Sequence, residues 1–390
     1  MLARALLGLG VVAISIACRA EVRESPPSPS PAEFELNEQS VAQLQEGMTS
    51  GRYTSRRLVE LYLQRISSLD AAGPRLRSVI ETNPDALAIA DALDAERKAT
   101  GARGPLHGIP ILIKDNIDTG DKMLTTAGSL ALTGAPAPRD AFIVERLRAA
   151  GVVILGKTNL SEWANIRSTR STSGWSARGG QVKNPYVLDR NPCGSSSGTG
   201  AAIAANLAAV GVGTETDGSV ICPSAVSALV GIKPTIGLVS RTGIIPISHS
   251  QDTAGPMART VADAAVLLNA MTGTDTSDRA MSSAPAAREN YTAALKADAL
   301  KSARIGVARA QYFGYSPATD ALIGAAIDVM RAQGATIVDP ADIPTASRLD
   351  ACEIEVLLYE LKADLNAYLA TRGTAAAAST LKELIAFNER

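Results

Sequence analysis

Four serines and one lysine hold most of the reactive chemistry in this chain. Residues 193 to 219 read CGSSSGTGAAIAANLAAVGVGTETDGS, so Ser195, Ser196 and Ser197 stand at one end of an apolar, Ala-rich stretch and Ser219 at the other. Glycines crowd both ends, and glycine lets the backbone turn at positive φ or approach another group closely. The pattern predicts two loops joined by a helix and a strand. A serine hydroxyl is a weak nucleophile at neutral pH and needs a base within reach; a lysine can serve when burial favours its neutral form. Lys114 is the candidate. It follows the apolar run IPILI (109–113) and precedes Asp115 and Asn116, so it emerges at a strand's carboxyl end, where open α/β sheets place their sites. Taken alone, a lysine is more often a solvated surface residue.

Two other motifs compete with this reading. GVVILGKT (151–158) fits the phosphate-loop pattern G-x-x-x-x-G-K-[ST], but its four middle residues read as a buried strand, so their amides belong to a sheet ladder rather than to a phosphate. Gly194–Gly198 satisfies G-x-S-x-G, with Ser196 central and Asp217 and His249 following in hydrolase order. That esterase-like reading lacks the apolar strand that must precede a nucleophile elbow, since QVKNPYVLDRNPC is polar and broken by Pro185 and Pro192. His107 and His249 are the only histidines, and a lone histidine is more often a hydrogen-bonded structural residue than a base.

The elements that must position these residues follow an α/β pattern. Ser40 caps a first helix; Leu58, Leu61, Tyr62, Ile66 and Leu69 stripe a second; Pro84 opens a third running towards Thr100. Asp140 reads as the cap of a helix ending at Gly151. Strands are expected at 109–113, 152–155, 210–213, 236–239, 304–308 and 335–338, and helices near 260–271, 317–333 and 351–371. The alternation predicts one large α/β domain, a central mixed sheet covered by helices on both faces. With 390 residues, 46% of them hydrophobic, and a formal net charge of -1, the chain is long enough for a large core and offers no charge argument for nucleic acid. Trp163 reads as core; Trp175 is a core or pocket-wall residue and is kept as a substrate-binding candidate with Ser196.

The first residues are a separate matter. The run from Ala5 to Ala17 is too short to span a membrane as a mature helix and fits the apolar centre of a signal peptide (1–20), ending as a lipoprotein signal at Cys18 or by ordinary cleavage after Ala20. The Pro/Ser-rich stretch 21–36 reads as a tether. These features predict an exported, periplasmic or lipid-anchored protein.

Six blocks, GIPILIKDN, GKTNLSEWAN, NPCGSSSGTG, GTETDGSVICPSA, GIKPTIGLVSRTGIIP and SHSQDTAGPMART, together resemble the amidase signature family from about residue 37 onward. Within it the PCGSSSG, TETDGS and GWSARGGQVKNPY segments are most similar to bacterial peptide amidases. The resemblance implies a Ser-Ser-Lys triad with Lys114 as base, Ser195 as relay on a cis peptide bond and Ser219 as nucleophile. It also implies an oxyanion hole from the amides of Thr216, Asp217, Gly218 and Ser219. The implied activity is hydrolysis of carboxamides, peptide C-terminal amides first, without metal or organic cofactor; the alternative from the same family is membership of an amidotransferase complex as one of its subunits. Cys193 and Cys222 flank the two loops and are candidates for pairing in an oxidising compartment. The chain stops at STLKELIAFNER, within a helical pattern, whereas relatives continue, which reads as a truncated C-terminus or a naturally short member.

Overall fold

A computed structural model of the chain describes residues 34–282, 290–373 and 376–389. The signal peptide, Cys18 and most of the proposed tether lie outside the described residues. Glu38–Arg390 form one compact unit, and among the described residues no helix is long and apolar enough to cross a membrane.

Two amphipathic helices open this unit. In α1 (Val41–Thr49) Ser40 accepts from the Gln43 N–H while the Gln43 side chain returns to the Ser40 N–H, a reciprocal capping box. In α2 (Ser55–Arg65) Leu58, Val59, Leu61 and Tyr62 are buried, the stripe that the spacing predicts. The main sheet is then assembled from β1 (Val79–Thr82), β2 (Pro110–Lys114), β3 (Val153–Thr158), β6 (Val210–Glu215), β7 (Val230–Gly231) and β8 (Thr253–Ala258), with the two-residue strands β4 (Trp175–Ser176) and β5 (Gly180–Gln181) forming a separate hairpin. Its order is β1-β3-β2-β6-β8-β7. The three central strands β3, β2 and β6 are parallel, and β1, β8 and β7 add in antiparallel sense, so the sheet is mixed as expected. Every residue of β2, β3, β6 and β8 is buried, as must hold when helices cover both faces. Those helices include α3 (Ala86–Thr100), α4 (Phe142–Ala149), α5 (Ser197–Ala204), α6 (Ile221–Val226) and α7 (Val261–Met271).

The C-terminal third adds the parallel pair β9 (Arg304–Gly306) and β10 (Thr336–Val338), with α8 (Pro317–Ala332) between them, then α9 (Asp350–Thr371) and α10 (Leu381–Asn388). These last two helices are not peripheral. Leu361, Leu365 and Leu369 of α9 and Leu384 of α10 form a cluster with Leu132, Leu160 and Trp163.

Several expectations need correction. IGLV at 236–239 is a turn, not a strand: Leu238 N–H donates to the Thr235 carbonyl and Gly237 has φ +81°. Asp140 does not cap α4. Its carboxylate is drawn away to the Gly120 N–H and to Arg148, and Ala141 takes the cap position. GVVILGKT is sheet, as the strand reading required. Gly156 lies inside β3, where a Cβ would come within 2.3 Å of the Glu81 carbonyl oxygen, so no phosphate-binding loop forms there.

Candidate active site

The carboxyl ends of the parallel strands converge on Lys114, the last residue of β2. It is fully buried, and its Nζ lies 2.8 Å from the Ser195 hydroxyl, 2.9 Å from Thr214 Oγ1 and 3.1 Å from the Thr214 carbonyl oxygen. Burial disfavours the ammonium form and lowers this amine to about 7, although the negative charges of Asp252 and Glu215 pull in the opposite direction. A lysine poised there is half neutral near pH 7.

Ser195 belongs to the loop that enters α5. The Gly194–Ser195 peptide bond is cis, and the Ser195 carbonyl accepts the Ser161 N–H at 3.1 Å. Gly198, one residue into α5, donates its N–H to the Asn159 carbonyl at 2.9 Å; a Cβ at 198 would sit 2.3 Å from the backbone oxygens of Asn159 and Ser78. That contact is why the GSSSG run ends in glycine. The second loop follows β6, and the two are joined twice: the Ser196 N–H donates to the Ser219 carbonyl at 3.1 Å, and a disulfide links Cys193 to Cys222 with Cα atoms 5.9 Å apart. Cys352 is free and exposed. The hydroxyls of Ser195 and Ser219 are not hydrogen-bonded to each other, and Ser219 is only 7% exposed.

Glu215 organises the TETDGS loop. Its buried carboxylate accepts the N–H groups of Gly218 (2.9 Å), Val220 (2.6 Å) and Ile221 (2.9 Å), while Lys233 Nζ stands 3.6 Å from it and donates to the Thr216 carbonyl. Thr216 Oγ1 in turn donates to Asp252 at 2.5 Å. The expected oxyanion hole is corrected accordingly. The Gly218 amide is committed to Glu215, whereas the N–H groups of Thr216, Asp217 and Ser219 donate to no acceptor among the described residues.

Neither expected substrate contact lines the two cavities beside this centre. The Ser196 hydroxyl is fully buried, donating to the Thr214 carbonyl (3.1 Å) and accepting the Thr214 N–H (3.2 Å), so it fastens the serine loop to β6 and is free neither to bind substrate nor to act as an elbow nucleophile. Trp175 is 39% exposed on β4, with the Arg167 guanidinium 5.4 Å over its ring. Trp163, buried as expected, also lines a cavity. His107 is structural, its ring bonded to the Leu93 carbonyl, and His249 pairs with Asp364 and Glu360 on α9 rather than with Ser196 and Asp217.

Two adjoining cavities lie beside this centre, reached through Asn116 and Thr214; Lys114, Ser195 and Ser219 themselves line neither. One of about 430 Å³ is lined by Thr214, Glu215 and Thr216 of the second loop, with Asp252 and Tyr368. The other, about 180 Å³, is mostly apolar, lined by Ala127, Trp163, Ile166, Leu361 and Leu365. Asn116 lines both. The sequence predicts no role for Thr214, Glu215, Asp252 or Asn116, although all four lie in the blocks singled out above; no local pattern distinguishes a carboxylate that gathers amides from one that faces water.

The pattern of the Amidase family matches residues 57–390. A probable amidase of Arabidopsis thaliana is 45% identical over 364 residues, 91% of this chain and 69% of that protein. The crystal structure of native peptide amidase from Stenotrophomonas maltophilia superposes with a TM-score of 0.88 at 53% identity, covering 91% of this chain and 72% of that one. A glutamyl-tRNA(Gln) amidotransferase subunit from Alkalilimnicola ehrlichii is 42% identical over 305 residues, 77% of this chain and 60% of the relative.

Proposed function

Because the chain belongs to the amidase family, we propose that it hydrolyses peptide C-terminal amides, with Ser219 as nucleophile, Ser195 as proton relay and Lys114 as base. The observation that carries this reading is the 2.8 Å contact between a fully buried lysine amine, lowered to about 7, and the Ser195 hydroxyl. A neutral amine keeps two N–H donors for the Thr214 carbonyl and Oγ1 and turns its lone pair to the Ser195 O–H. Ser219 Oγ then bonds to the amide carbon as its proton passes to Ser195 and the Ser195 proton to Lys114. This requires the Ser219 hydroxyl to turn onto Ser195; its backbone is already fixed by the Ser196 N–H. The developing oxyanion is met by the unengaged amides of Thr216, Asp217 and Ser219, donors worth about 3 to 4 kcal/mol each in comparable sites. Collapse of the tetrahedral adduct returns a proton through the same relay to the leaving nitrogen, and ammonia departs. Water, activated by the same relay, cleaves the acyl-enzyme to the free acid.

Similarity to the Stenotrophomonas peptide amidase supports the substrate class, and it exceeds the similarity to the amidotransferase relative in both identity and coverage. The purified chain should release ammonia from N-acyl peptide amides without a partner. A fluorophosphonate should label Ser219, and Ser219→Ala should abolish labelling while Ser196→Ala retains it. Label found on Ser196 would overturn the assignment.

We further propose that the protein is exported. The apolar leader supports this, as does the Cys193–Cys222 disulfide, a bond favoured in oxidising compartments. The mature chain should start at Cys18 if lipidated, or after Ala20 if secreted free; cytoplasmic chain retaining Met1 would refute export.

A further inference from the structure

Asn116 lies two residues beyond Lys114 and contributes to the wall that the two cavities share, together with Ala164 and the segment Ile245, Pro246 and Ile247. It is only 3% exposed. Its main chain is held by the Ile245 N–H, which donates to the Asn116 carbonyl at 2.9 Å. Its side-chain Nδ2 donates to Thr214 Oγ1 at 2.9 Å, the same hydroxyl that receives a hydrogen bond from Lys114. The other half of this amide, Oδ1, is buried and has no partner. Buried acceptors are rarely left unpaired in folded proteins, and this one belongs to a residue in the wall shared by the two cavities.

We propose that Asn116 Oδ1 accepts the backbone N–H of the residue whose carboxamide is cleaved, and so selects N-acylated aminoacyl amides over substrates that lack this donor. The inference rests on the amide-hydrolase reading above. With Nδ2 turned to Thr214, the half of the amide left unpaired is the acceptor Oδ1, and an acceptor is complementary to an N–H and repelled by an ester oxygen. Because Thr214 anchors both Asn116 and Lys114, the contact fixes the substrate in register with the base. The neighbouring apolar cavity, walled by Trp163, Ile166, Leu361 and Leu365, then receives an aliphatic side chain of the same residue.

The test compares ammonia release from an N-acyl-leucine amide with that from its analogue in which the backbone N–H is replaced by oxygen. Only ammonia is counted, so scission of the ester link does not enter. The readout is the ratio of the two kcat/KM values, which is insensitive to the fraction of folded enzyme and to the charge state of Lys114. The parent should favour the N–H substrate by about ten- to hundredfold, the penalty for leaving a buried acceptor unpaired. Asn116→Ala and the near-isosteric Asn116→Leu should both bring the ratio close to one, while Asn116→Asp, which keeps an acceptor oxygen, should preserve a preference. Equal turnover of both substrates by the parent, or an unchanged ratio in Asn116→Ala and Asn116→Leu, would overturn the assignment alone. Release of ammonia from neither substrate would overturn both the assignment and the activity beneath it.

Discussion

Replacing Lys114 by Met separates its chemistry from its cost to the fold. The methionine retains an apolar stem of similar length and removes the amine. In the folded parent this amine titrates near 7, against an ordinary lysine value of 10.5. Between these two values the unfolded chain binds a proton that the folded chain does not, so folding becomes more favourable as pH rises and this term is lost as pH falls through the window. One pKa unit corresponds to about 1.4 kcal/mol, so Lys114 alone should lower the parent's unfolding free energy by about 2.5 kcal/mol between pH 9.5 and pH 7.5. Urea unfolding of both proteins at each pH gives the parent-minus-variant difference, in which all other titrating groups cancel to first order. The difference should change with pH by that amount, with the variant gaining on the parent towards acid. On the kinetic side, kcat/KM of the parent should rise about tenfold per unit below pH 7 and flatten above about pH 8, since only the neutral amine accepts the Ser195 proton. The variant should lose that limb and most of its turnover. A flat stability difference across the window, or amide hydrolysis by Lys114→Met at the parental rate, would refute the neutral-lysine mechanism.

Asp252→Asn should move the acid limb of the rate profile to lower pH, because the largest electrostatic influence favouring the charged lysine is then removed; a pH titration of kcat/KM measures it, and Glu215→Gln should shift the limb the same way. Replacing both Cys193 and Cys222 by serine opens a cross-link spanning 29 residues and should lower stability by about 3 to 4 kcal/mol on the chain-entropy estimate, read by urea unfolding under non-reducing conditions. Lys157→Met should destabilise by about 3 to 5 kcal/mol, because it removes the cation facing buried Asp115 and Asp118, and should leave the acid limb of kcat/KM where it was.

What the sequence made legible was local. The apolar run ending in Lys114, the GSSSG loop and the TETDGS loop each carry their signal within a few residues, and the Ala-rich segment between the serine loops became α5 and β6 as its composition requires. The missed strand β8 reads TAGPMA. Its Gly255 and Pro256 hide a strand signal, and only pairing with β6 on one side and β7 on the other identifies it. The site's supporting residues were illegible for a related reason. Thr214 reaches Lys114 across 100 residues of sequence and Asn116 across 98, so their roles exist only after the sheet has closed. Ser196 shows the converse hazard: a residue central to a familiar motif spends both sides of its hydroxyl on the Thr214 backbone.

The sheet presents two buried lysines at the ends of adjacent parallel strands, and their surroundings decide which one can be a base. Lys114 is paired with Thr158 in the ladder, and Lys157 with Ile113, so the two amines leave β2 and β3 at nearly the same level. Both are fully buried, and burial lowers both. Lys157 donates to the Ile117 carbonyl and to Thr125 Oγ1, and the negative charges of Asp115 and Asp118 hold it at about 8, above Lys114 and still mostly charged at neutral pH. An ammonium in that setting has no lone pair to offer; its positive charge offsets two buried carboxylates. Around Lys114 the direct partners are hydroxyls and a carbonyl, neutral groups that hydrogen-bond to an amine without fixing its charge, and one of them is the Ser195 hydroxyl. Charge compensation therefore makes one lysine a structural cation, and its absence from the immediate contacts of the other leaves an amine able to exchange a proton with a serine.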